Sequence, residues 1–254
     1  MLKAILFDLD GTLLDNPMQQ FVPAYLESLA SFVAPHLPPD RFVRQLLTAT
    51  AAMNANDGSG PTNEEVFAAA FYPGLGVERG VLEPLLGRFY TEEFPKLRRL
   101  TRARGEARAL VQWAFQLGLD VVIATNPLFP RTAIEQRIAW AGVSVDEFPY
   151  TLVTTYENMH ATKDHPAYYA EILHRLARSP EECLMVGDDW GWDIRPTVEL
   201  GMNAFWVVDG AAVPPSPALP LAGRGSLAEL WRLVQAGNLP IRSAPLPSSQ
   251  EDSP

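Results

Sequence analysis

The sequence predicts an α/β fold in which helices cover both faces of a parallel sheet, and three observations lead to it. Short apolar runs, typical of strands buried on both faces, alternate along the chain with longer runs of helical periodicity. The first apolar run ends in two carboxylates and a glycine, which a packed core tolerates only where a cation or a reaction uses them. Some 80 residues of helical pattern separate the first strand from the second, whereas a simple βαβ unit needs about 30 in all. We therefore expect an α/β core with an inserted helical domain.

The core elements follow from apolar runs that are bounded by turn residues. Strands are expected at residues 4–7, 119–124, 151–155, 183–186 and 204–208, each apolar and several of them rich in β-branched residues. Helices are expected between and after them, at residues 105–117, 131–141, 166–177, 194–200 and 227–234. Because strands alternate with helices, the sheet is predicted to be parallel and to lie between two layers of helices.

The inserted segment shows only helical signals. Apolar residues recur at helical spacing from residue 17 to about 47, and Pro35, Pro38 and Pro39 divide that stretch into two helices. A polar loop follows at residues 54–62, and Thr62 or Asn63 is the expected N-cap of the next helix. A last helix is expected at 81–90, with Pro95 breaking the pattern beyond it.

These signals divide the chain into three regions. We place the α/β core at residues 1–15 and 99–238 and the helical domain at 16–98. The stretch 214–220 is expected to be a loop, and residues 239–254, dominated by Pro and Ser, a disordered tail.

Composition limits the classes of function. Thirty acidic residues against twenty basic ones give a net charge of −10, which argues against nucleic acid as a partner. The single cysteine excludes an intrachain disulfide and favours a reducing compartment. No apolar run approaches the roughly 18 residues of a membrane span, and the first strand leaves no room for a signal peptide. A cytoplasmic protein with no membrane partner is expected.

The end of the first strand is the strongest candidate for a catalytic site. Asp8 and Asp10 stand two residues apart and are expected to project to the same side, with Gly11 permitting a sharp turn before Thr12. The carboxyl edge of a parallel sheet is also where open α/β folds bind ligands. An ordinary Asp-Gly turn is one alternative. A calcium loop is another, but the Gly and Glu of the EF-hand pattern do not stand at the required positions.

Two further positions suit an anionic group. Thr125 and Asn126 close the second apolar strand just before a helix, a hydroxyl and an amide that can bind a tetrahedral oxyanion or simply cap that helix. Lys163 is one of three lysines in the chain and precedes a helix start, so it is a candidate cation for a phosphate or an aspartyl anion. An exposed loop lysine is the alternative.

Three acids follow the strand at 183–186. We interpret Asp188 as a ligand of a divalent cation that Asp8 shares, because oxygen ligands from two strand ends would otherwise repel each other. Asp189 is assigned a supporting role, and Asp193 is expected to hold the loop or a metal-bound water. Trp190 and Trp192 either pack in the core or line the pocket, and the sequence does not separate the two.

These four strand ends together resemble the haloacid dehalogenase-like (HAD) hydrolase superfamily, over the chain to about residue 235. Asp-x-Asp-Gly-Thr stands intact at residues 8–12, Thr125 matches the second motif, Lys163 the third, and Asp188 with Asp193 the fourth. The resemblance is to the phosphoglycolate-phosphatase-like kind, and it implies a Rossmann-like three-layer core with an all-helical C1-type cap inserted after the first motif. Two details depart from the common pattern: residues 164–165 separate the lysine from its proline, and Trp192 precedes Asp193 where Asn is frequent.

The resemblance implies roles for these residues. Asp8 would be the nucleophile that forms an aspartyl-phosphate, and Asp10 the general acid and base. Mg²⁺ would be held by the carboxylates of Asp8 and Asp188 and by the backbone carbonyl of Asp10, while Thr125 and Lys163 hold the phosphoryl oxygens. The expected activity is Mg²⁺-dependent hydrolysis of a small phosphorylated metabolite.

Several residues bear on the other activities known in the superfamily. Dehalogenases lack the second Asp, so Asp10 argues against that chemistry, and the inserted segment holds only Lys96 for the Schiff base of a phosphonatase. A phosphomutase shares the core residues and stays open, as does a protein that binds phosphate or metal without turnover. Leaving-group contacts are expected from residues 16–25 and 54–63, and the protein is expected to be a monomer or a homodimer.

Overall fold

A six-stranded parallel sheet forms the centre of the computed structural model, which describes residues 1–210, 214–215 and 219–239. The described strands of the chain are β1 (Ala4–Phe7), β2 (Leu14–Asp15), β3 (Arg102–Ala103), β4 (Asp120–Ile123), β5 (Leu152–Val153), β6 (Cys183–Gly187), β7 (Asn203–Val207) and β8 (Gly223–Gly225), of which β2 and β3 form a separate pair. The sheet order is β5-β4-β1-β6-β7-β8, so β1 lies in the interior between β4 and β6. The parallel sheet is confirmed.

Helices account for most of the remaining described chain. They are α1 (Met18–Val33), α2 (Pro39–Asn54), α3 (Asn63–Leu75), α4 (Arg79–Glu92), α5 (Ala107–Gln116), α6 (Arg131–Trp140), α7 (Ala167–Leu176), α8 (Arg195–Glu199) and α9 (Leu227–Gln235). Within the described residues, no helix combines the length and the apolar character that a membrane span requires.

The two faces of the sheet bury alternate residues of each strand. In β1, Ile5 and Phe7 join the large cluster that contains the apolar faces of α5, α6 and α9. Ala4 and Leu6 join a second cluster with α7 on the opposite face. The three-layer α/β/α core is therefore confirmed, and the continuous apolar run of β1 is explained by burial on both sides.

A helical segment, α1 to α4 followed by a 3₁₀ turn at Phe94–Leu100, is inserted between β2 and β3. These two short strands pair antiparallel, with Leu14 opposite Ala103 and Asp15 opposite Arg102, so they bring the entry and exit of the segment together. The Thr62 side chain accepts a hydrogen bond from the Glu65 backbone N–H and completes a capping box at α3, as the sequence predicts.

Predicted and observed elements agree closely, with a few differences. β2, β3 and β8 were not predicted, because strands of two or three residues are too short for a periodic pattern. The helix predicted at 194–200 is preceded by a π-helical turn at Trp190–Ile194. The predicted tail, apart from residue 239, and residues 216–218 of the predicted loop at 214–220 lie outside the described residues.

The register of the sheet brings three strand ends to one place. Phe7, the last residue of β1, lies opposite Ile123 of β4 and Val186 of β6. The residues that follow these strands, including Asp8, Thr125 and Asp188, therefore meet at the carboxyl edge of the sheet.

Candidate active site

The ammonium group of Lys163 lies between two buried carboxylates. Its Nζ donates to Asp8 Oδ1 at 2.6 Å and to Asp193 Oδ1 at 2.7 Å. Burial lowers the pKa of Lys163, but the carboxylates of Asp193 and Asp8 outweigh burial and hold that pKa well above its usual range. Lys163 is therefore charged at neutral pH and is not the exposed loop lysine that the sequence left as an alternative.

The loop that carries Lys163 is fixed by polar contacts on both sides. Asn126 Oδ1, after β4, accepts a hydrogen bond from the Lys163 backbone N–H at 3.2 Å. On the other side the Tyr169 hydroxyl of α7 donates to the Trp192 carbonyl at 2.8 Å. The loops after β4 and β6 thus position the lysine together, which explains how a residue far along the chain reaches Asp8.

Three carboxylates gather beside the end of β1. Oxygens of Asp8, Asp188 and Asp193 lie within 4.8 Å of one another. Burial and repulsion from Asp8 and Asp193 raise the pKa of Asp188 to about 8, and burial, opposed by Lys163, raises the pKa of Asp193 to about 7. Such a cluster is costly unless protons or a cation neutralise it.

The donor set fits a divalent cation shared by Asp8 and Asp188. Asp193 uses one oxygen for Lys163 and accepts the Asp189 N–H with the other, so both of its oxygens are engaged. Asp8 Oδ2 and Asp188 Oδ2, in contrast, have no hydrogen-bond donor among the described residues, because Lys163 and Thr12 bind the opposite oxygens. Two carboxylate oxygens without a protein donor are the hard ligands that Mg²⁺ or Ca²⁺ prefers.

Two glycines make room for these carboxylates. Gly11 has a φ of +93°, and a Cβ at this position would collide with the carboxylate of Asp188. A Cβ on Gly187 would likewise collide with the side chain of Asp193. The Thr12 hydroxyl donates to Asp188 Oδ1 at 3.1 Å. Gly11 and Thr12 therefore support the site by packing and orientation, and larger residues at either glycine would displace an acid.

The carboxylate of Asp10 is held apart from this cluster by two residues that the sequence analysis missed. Arg137 Nη1 donates to Asp10 Oδ2, and Asn16 Nδ2 donates to Asp10 Oδ1 at 2.7 Å. Arg137 is 1% exposed and its guanidinium lies over the Phe129 ring, 4.6 Å from the ring centroid. The sequence did contain a signal for Arg137, because this arginine stands within the apolar stripe of α6. Ala133, Ile134 and Ile138 of that stripe are all buried. The Asp10 side chain is thus turned away from the other acids, and its backbone carbonyl is the ligand it could offer a metal.

The acidic loop after β6 separates into structural and pocket residues. Asp189 Oδ1 accepts from the backbone N–H groups of Gly191 and Trp192, at 2.7 and 2.8 Å, and so caps the π-helical turn. Trp190 packs edge-on against Trp206, with 5.1 Å between ring centroids. Trp192 lines a large cavity, and its Nε1 donates to Asp164 Oδ1. The two tryptophans therefore have different roles.

A cavity of about 910 Å³ opens from this edge of the sheet toward the helical segment. Asp10, Thr125, Asn126, Arg137 and further residues of the core line one end, and residues of α1, α2, α3 and α4 line most of the remainder. Thr125 is buried, and its carbonyl accepts hydrogen bonds from the hydroxyls of Thr154 and Tyr168, so backbone contacts fix the end of β4.

The predicted pocket contacts are correct for one segment and wrong for the other. Met18, Val22 and Tyr25, within the predicted stretch 16–25, line the cavity. None of the residues 54–63, all of them described, lies in the lining. Asn63 instead donates from its backbone to the Met159 carbonyl at 2.8 Å and from its side chain to the Ala161 carbonyl at 3.1 Å. That loop attaches the helical segment to the core.

Comparison with known proteins identifies the class as a hydrolase. A sequence model of the haloacid dehalogenase-like hydrolases matches residues 2–196, which include β1 and each motif described above. The chain belongs to the haloacid dehalogenase-like hydrolase family. The resemblance inferred from the motifs is therefore confirmed.

Curated relatives of the chain include phosphatases. A phosphoserine phosphatase of Thermus thermophilus is 28% identical over 175 residues, which are 68% of this chain and 65% of that protein. The chain thus spans about two thirds of that relative's length. The pyrophosphatase PpaX of Bacillus cereus is 24% identical over 188 residues, 74% of this chain and 75% of the relative.

Solved structures show the same fold at low sequence identity. A 2-haloacid dehalogenase from Pseudomonas syringae pv. Tomato DC3000 aligns with a TM-score of 0.61 and 21% identity, covering 93% of this chain and 100% of that one. A HAD phosphatase from Thermococcus onnurineus aligns with a TM-score of 0.56 and 19% identity, covering 92% and 98%. These likenesses establish the fold, whereas the chemistry has to be argued from the site.

Proposed function

We propose that the chain is a Mg²⁺-dependent phosphatase that hydrolyses a small phosphorylated metabolite through an aspartyl-phosphate on Asp8. The observation that carries this proposal is the environment of Asp8. Lys163 holds Oδ1 at 2.6 Å, while Oδ2 has no donor among the described residues. A carboxylate with one oxygen oriented by a cation and the other oxygen without a donor is suited to nucleophilic attack.

The reaction would proceed in two displacements. In the first, Asp8 Oδ2 forms a bond to phosphorus, the ester P–O bond breaks, and the leaving oxygen takes a proton from Asp10. In the second, a water oxygen attacks the same phosphorus and gives a proton to Asp10, and the bond from phosphorus to Asp8 breaks. The products are the alcohol and inorganic phosphate, and both carboxyl groups return to their starting states.

Arg137 and Asn16 position Asp10 for the second displacement. In the carboxylate form both Asp10 oxygens accept hydrogen bonds, one from each of these residues, and this is the form that a general base requires. When the carboxyl carries a proton, the protonated oxygen is a weaker acceptor, so one of the two contacts is weakened until Asp10 gives up its proton in the first displacement. We infer that these contacts orient the catalytic carboxyl, as hydrogen-bonded neighbours orient the catalytic base in other active sites.

A magnesium ion would be held by the carboxylates of Asp8 and Asp188 with the backbone carbonyl of Asp10. When bound, the ion supplies positive charge that offsets the repulsion between an anionic nucleophile and an anionic phosphoryl group. Lys163, with the hydroxyl of Thr125 and the amide of Asn126, would hold the transferred phosphoryl oxygens from the protein side. In this arrangement Asp193 serves to hold Lys163 and does not act as a ligand.

The helical segment, residues 16–98, would act as a cap domain over the site. Its helices form most of the cavity wall above Asp10 and Thr125, and it joins the core through the antiparallel pair of β2 and β3. Closure of such a segment would exclude water from the phosphoryl group, as lids do in other enzymes.

A dehalogenase activity is not favoured by the site. Displacement of a halide needs no proton, whereas this site orients the Asp10 carboxyl with a buried arginine and an asparagine. Several structures of similar fold are dehalogenases, but at about 20% identity that likeness concerns the fold alone.

The direct test is release of inorganic phosphate from a nitrophenyl phosphate and a set of alkyl phosphates, with Mg²⁺ and with EDTA. We expect release with Mg²⁺ and at least about a 100-fold loss with EDTA, because charge neutralisation contributes several kcal/mol to this reaction. Folded protein that hydrolyses none of these esters would contradict the proposal. Isomerisation of a sugar phosphate without net release would instead indicate a mutase.

Metal and pH should act together on stability. Asp188 and Asp193 have raised pKa values, about 8 and 7, against an ordinary value of 3.8. Between pH 4 and 8 the folded protein therefore holds protons that the unfolded chain has lost, and its stability falls as pH rises. A cation replaces those protons, so we expect the rise in Tm caused by Mg²⁺ to be larger at pH 8 than at pH 6. Thermal unfolding with Mg²⁺ and with EDTA measures this, and an equal or smaller rise at pH 8 would contradict the metal assignment. In Asp188→Asn, the difference between the Mg²⁺-induced rise in Tm at pH 8 and that at pH 6 should largely vanish.

A further inference from the structure

The wall of the 910 Å³ cavity is mainly apolar away from its catalytic end. Leu26 and Leu29 of α1, Phe42 and Leu46 of α2, and Phe67 of α3 contribute side chains to it. Cavities of this size hold ligands well beyond the dimensions of a phosphate group. The part of the cavity that the phosphoryl group does not need is therefore available for the alcohol it is attached to.

Charges on the described wall are already neutralised in pairs. Asp10 pairs with Arg137, Arg88 with Glu92 at 3.0 Å, and Glu83 with Arg79 at 2.9 Å. A second charged group of a substrate would compete with the existing partner of each of these side chains. The wall away from the catalytic end therefore favours an uncharged group over a second carboxylate, an ammonium group or a second phosphate.

Several hydroxyls of the wall are also satisfied by the protein. The Tyr25 and Tyr90 hydroxyls bond to each other at 2.9 Å, Thr50 donates to the Leu46 carbonyl at 2.9 Å, and Thr91 donates to the Arg88 carbonyl at 3.0 Å. A sugar placed against these groups and the apolar side chains beside them would find fewer hydrogen-bond partners than it has in water, which is unfavourable. An alkyl or aryl group makes no hydrogen bonds with water, so its burial in the same place costs none.

A buried donor without a hydrogen-bond partner lies at the catalytic end of the lining. Arg137 Nη2 is buried and has no hydrogen-bond partner among the described residues, while Nη1 of the same guanidinium contacts Asp10. The polar end of a substrate is therefore expected beside Asp10 and Arg137, with the apolar body extending toward α1 and α2.

We propose that the substrate is a phosphate monoester of an alcohol with a large apolar body, and that the cavity between the core and α1 to α4 binds that body. The proposal rests on the phosphatase function argued above and specifies the class of its leaving group. Hydrolysis cleaves the ester P–O bond with water, and it yields the apolar alcohol and inorganic phosphate.

The test is a chain-length series. Phosphate release from n-alkyl phosphates, ethyl to octyl, is measured with Mg²⁺ beside glycerol phosphate and a hexose phosphate. We expect kcat/KM to rise about threefold to fourfold per methylene over the first members, because each buried methylene contributes a constant free energy. Hydrolysis with no dependence on chain length, or with glycerol phosphate preferred to hexyl phosphate, would overturn the proposal and leave the phosphatase function standing.

Binding of n-alkyl phosphonates, measured by calorimetry, gives a readout without turnover. Affinity that rises with chain length in a protein that hydrolyses no ester would support the cavity and overturn the phosphatase function. Affinity independent of chain length would overturn the cavity proposal whatever the activity. The two failures are thus distinguishable.

A pair of matched variants locates the effect in the cavity. Leu46→Trp fills part of the cavity from α2, and it should lower kcat/KM for octyl phosphate at least tenfold, with a much smaller loss for ethyl phosphate. Val81→Trp makes the corresponding change at a residue that is 68% exposed and lies outside the cavity lining. It should leave kcat/KM for both octyl and ethyl phosphate at the wild-type value. Equal effects of the two variants on octyl phosphate would contradict the assignment.

Discussion

Asp8→Asn is expected to lower phosphate release at least about 10⁴-fold, because an amide oxygen is too weak a nucleophile to form the bond to phosphorus. The amide has the same shape as the carboxylate and still accepts a hydrogen bond from Lys163. It also removes one of the three acids that repel each other beside β1. The variant should therefore fold normally, and the loss should appear in kcat with Tm unchanged or raised in EDTA.

Asp146→Asn is the matched control. Asp146 is an exposed acid whose side chain accepts a hydrogen bond from the nearby Ser144 hydroxyl, so activity and Tm should stay at wild-type values. Substantial turnover by folded Asp8→Asn would show that the nucleophile is a different group, such as a metal-bound water.

Lys163→Met is expected to be the most destabilising single change in the site. It leaves the buried carboxylates of Asp8 and Asp193 facing each other without the cation that separates them, and uncompensated buried charge costs about 3–5 kcal/mol. For a chain of this size we expect a fall in Tm of about 10 °C at pH 8. The fall should be smaller at pH 6, because Asp193, with its raised pKa of about 7, can then take up a proton in place of the lost ammonium.

Lys96→Met provides the comparison for this variant. Lys96 pairs with Glu93 at 2.6 Å on the surface, and its side chain is 65% exposed. Exposed pairs contribute about 0–1 kcal/mol, so its Tm should change by no more than about 2 °C at either pH. If Lys163→Met were no more destabilised than Lys96→Met, the central ion cluster would not hold the site together as described.

The parts of the site that the sequence predicted are those that sheet topology places. Asp8, Thr125 and Asp188 each follow an apolar run, and parallel strands in register bring such ends together at one edge. Lys163 was a candidate because lysine is rare in this chain, although only the fold shows that it lies between Asp8 and Asp193.

The parts that the sequence did not predict depend on contacts between distant elements. Arg137 reaches Asp10 across 127 residues of chain, and this depends on how α6 is rotated against the sheet. Asn16 reaches Asp10 because the backbone turns at Gly11 and pairs through β2. The loop at 54–63 was expected from its position alone to supply leaving-group contacts, but it does not line the cavity, and nothing in its sequence specified the hydrogen bonds of Asn63 with the core.

The apolar cavity was equally inaccessible to sequence analysis. Phe42, Leu46 and Leu29 have the spacing of ordinary core residues, and the pattern does not distinguish a side chain that packs from one that lines a space. Of the charge pairs on the wall, Arg79–Glu83 and Arg88–Glu92 have i,i+4 spacing within α4, whereas the pairing of Arg137 with Asp10 becomes visible only in the fold.

The central claim, a phosphoryl group carried by Asp8, is tested most directly by mass spectrometry of Asp10→Asn after acid quench of a reaction with nitrophenyl phosphate. Nitrophenolate leaves without protonation, so the first displacement should proceed, whereas the second lacks its base and should stall. We expect about one nitrophenolate released per protein in a burst, and one phosphoryl group on the peptide that contains Asp8. Slow release without a burst, with no phosphoryl group on that peptide, would contradict it.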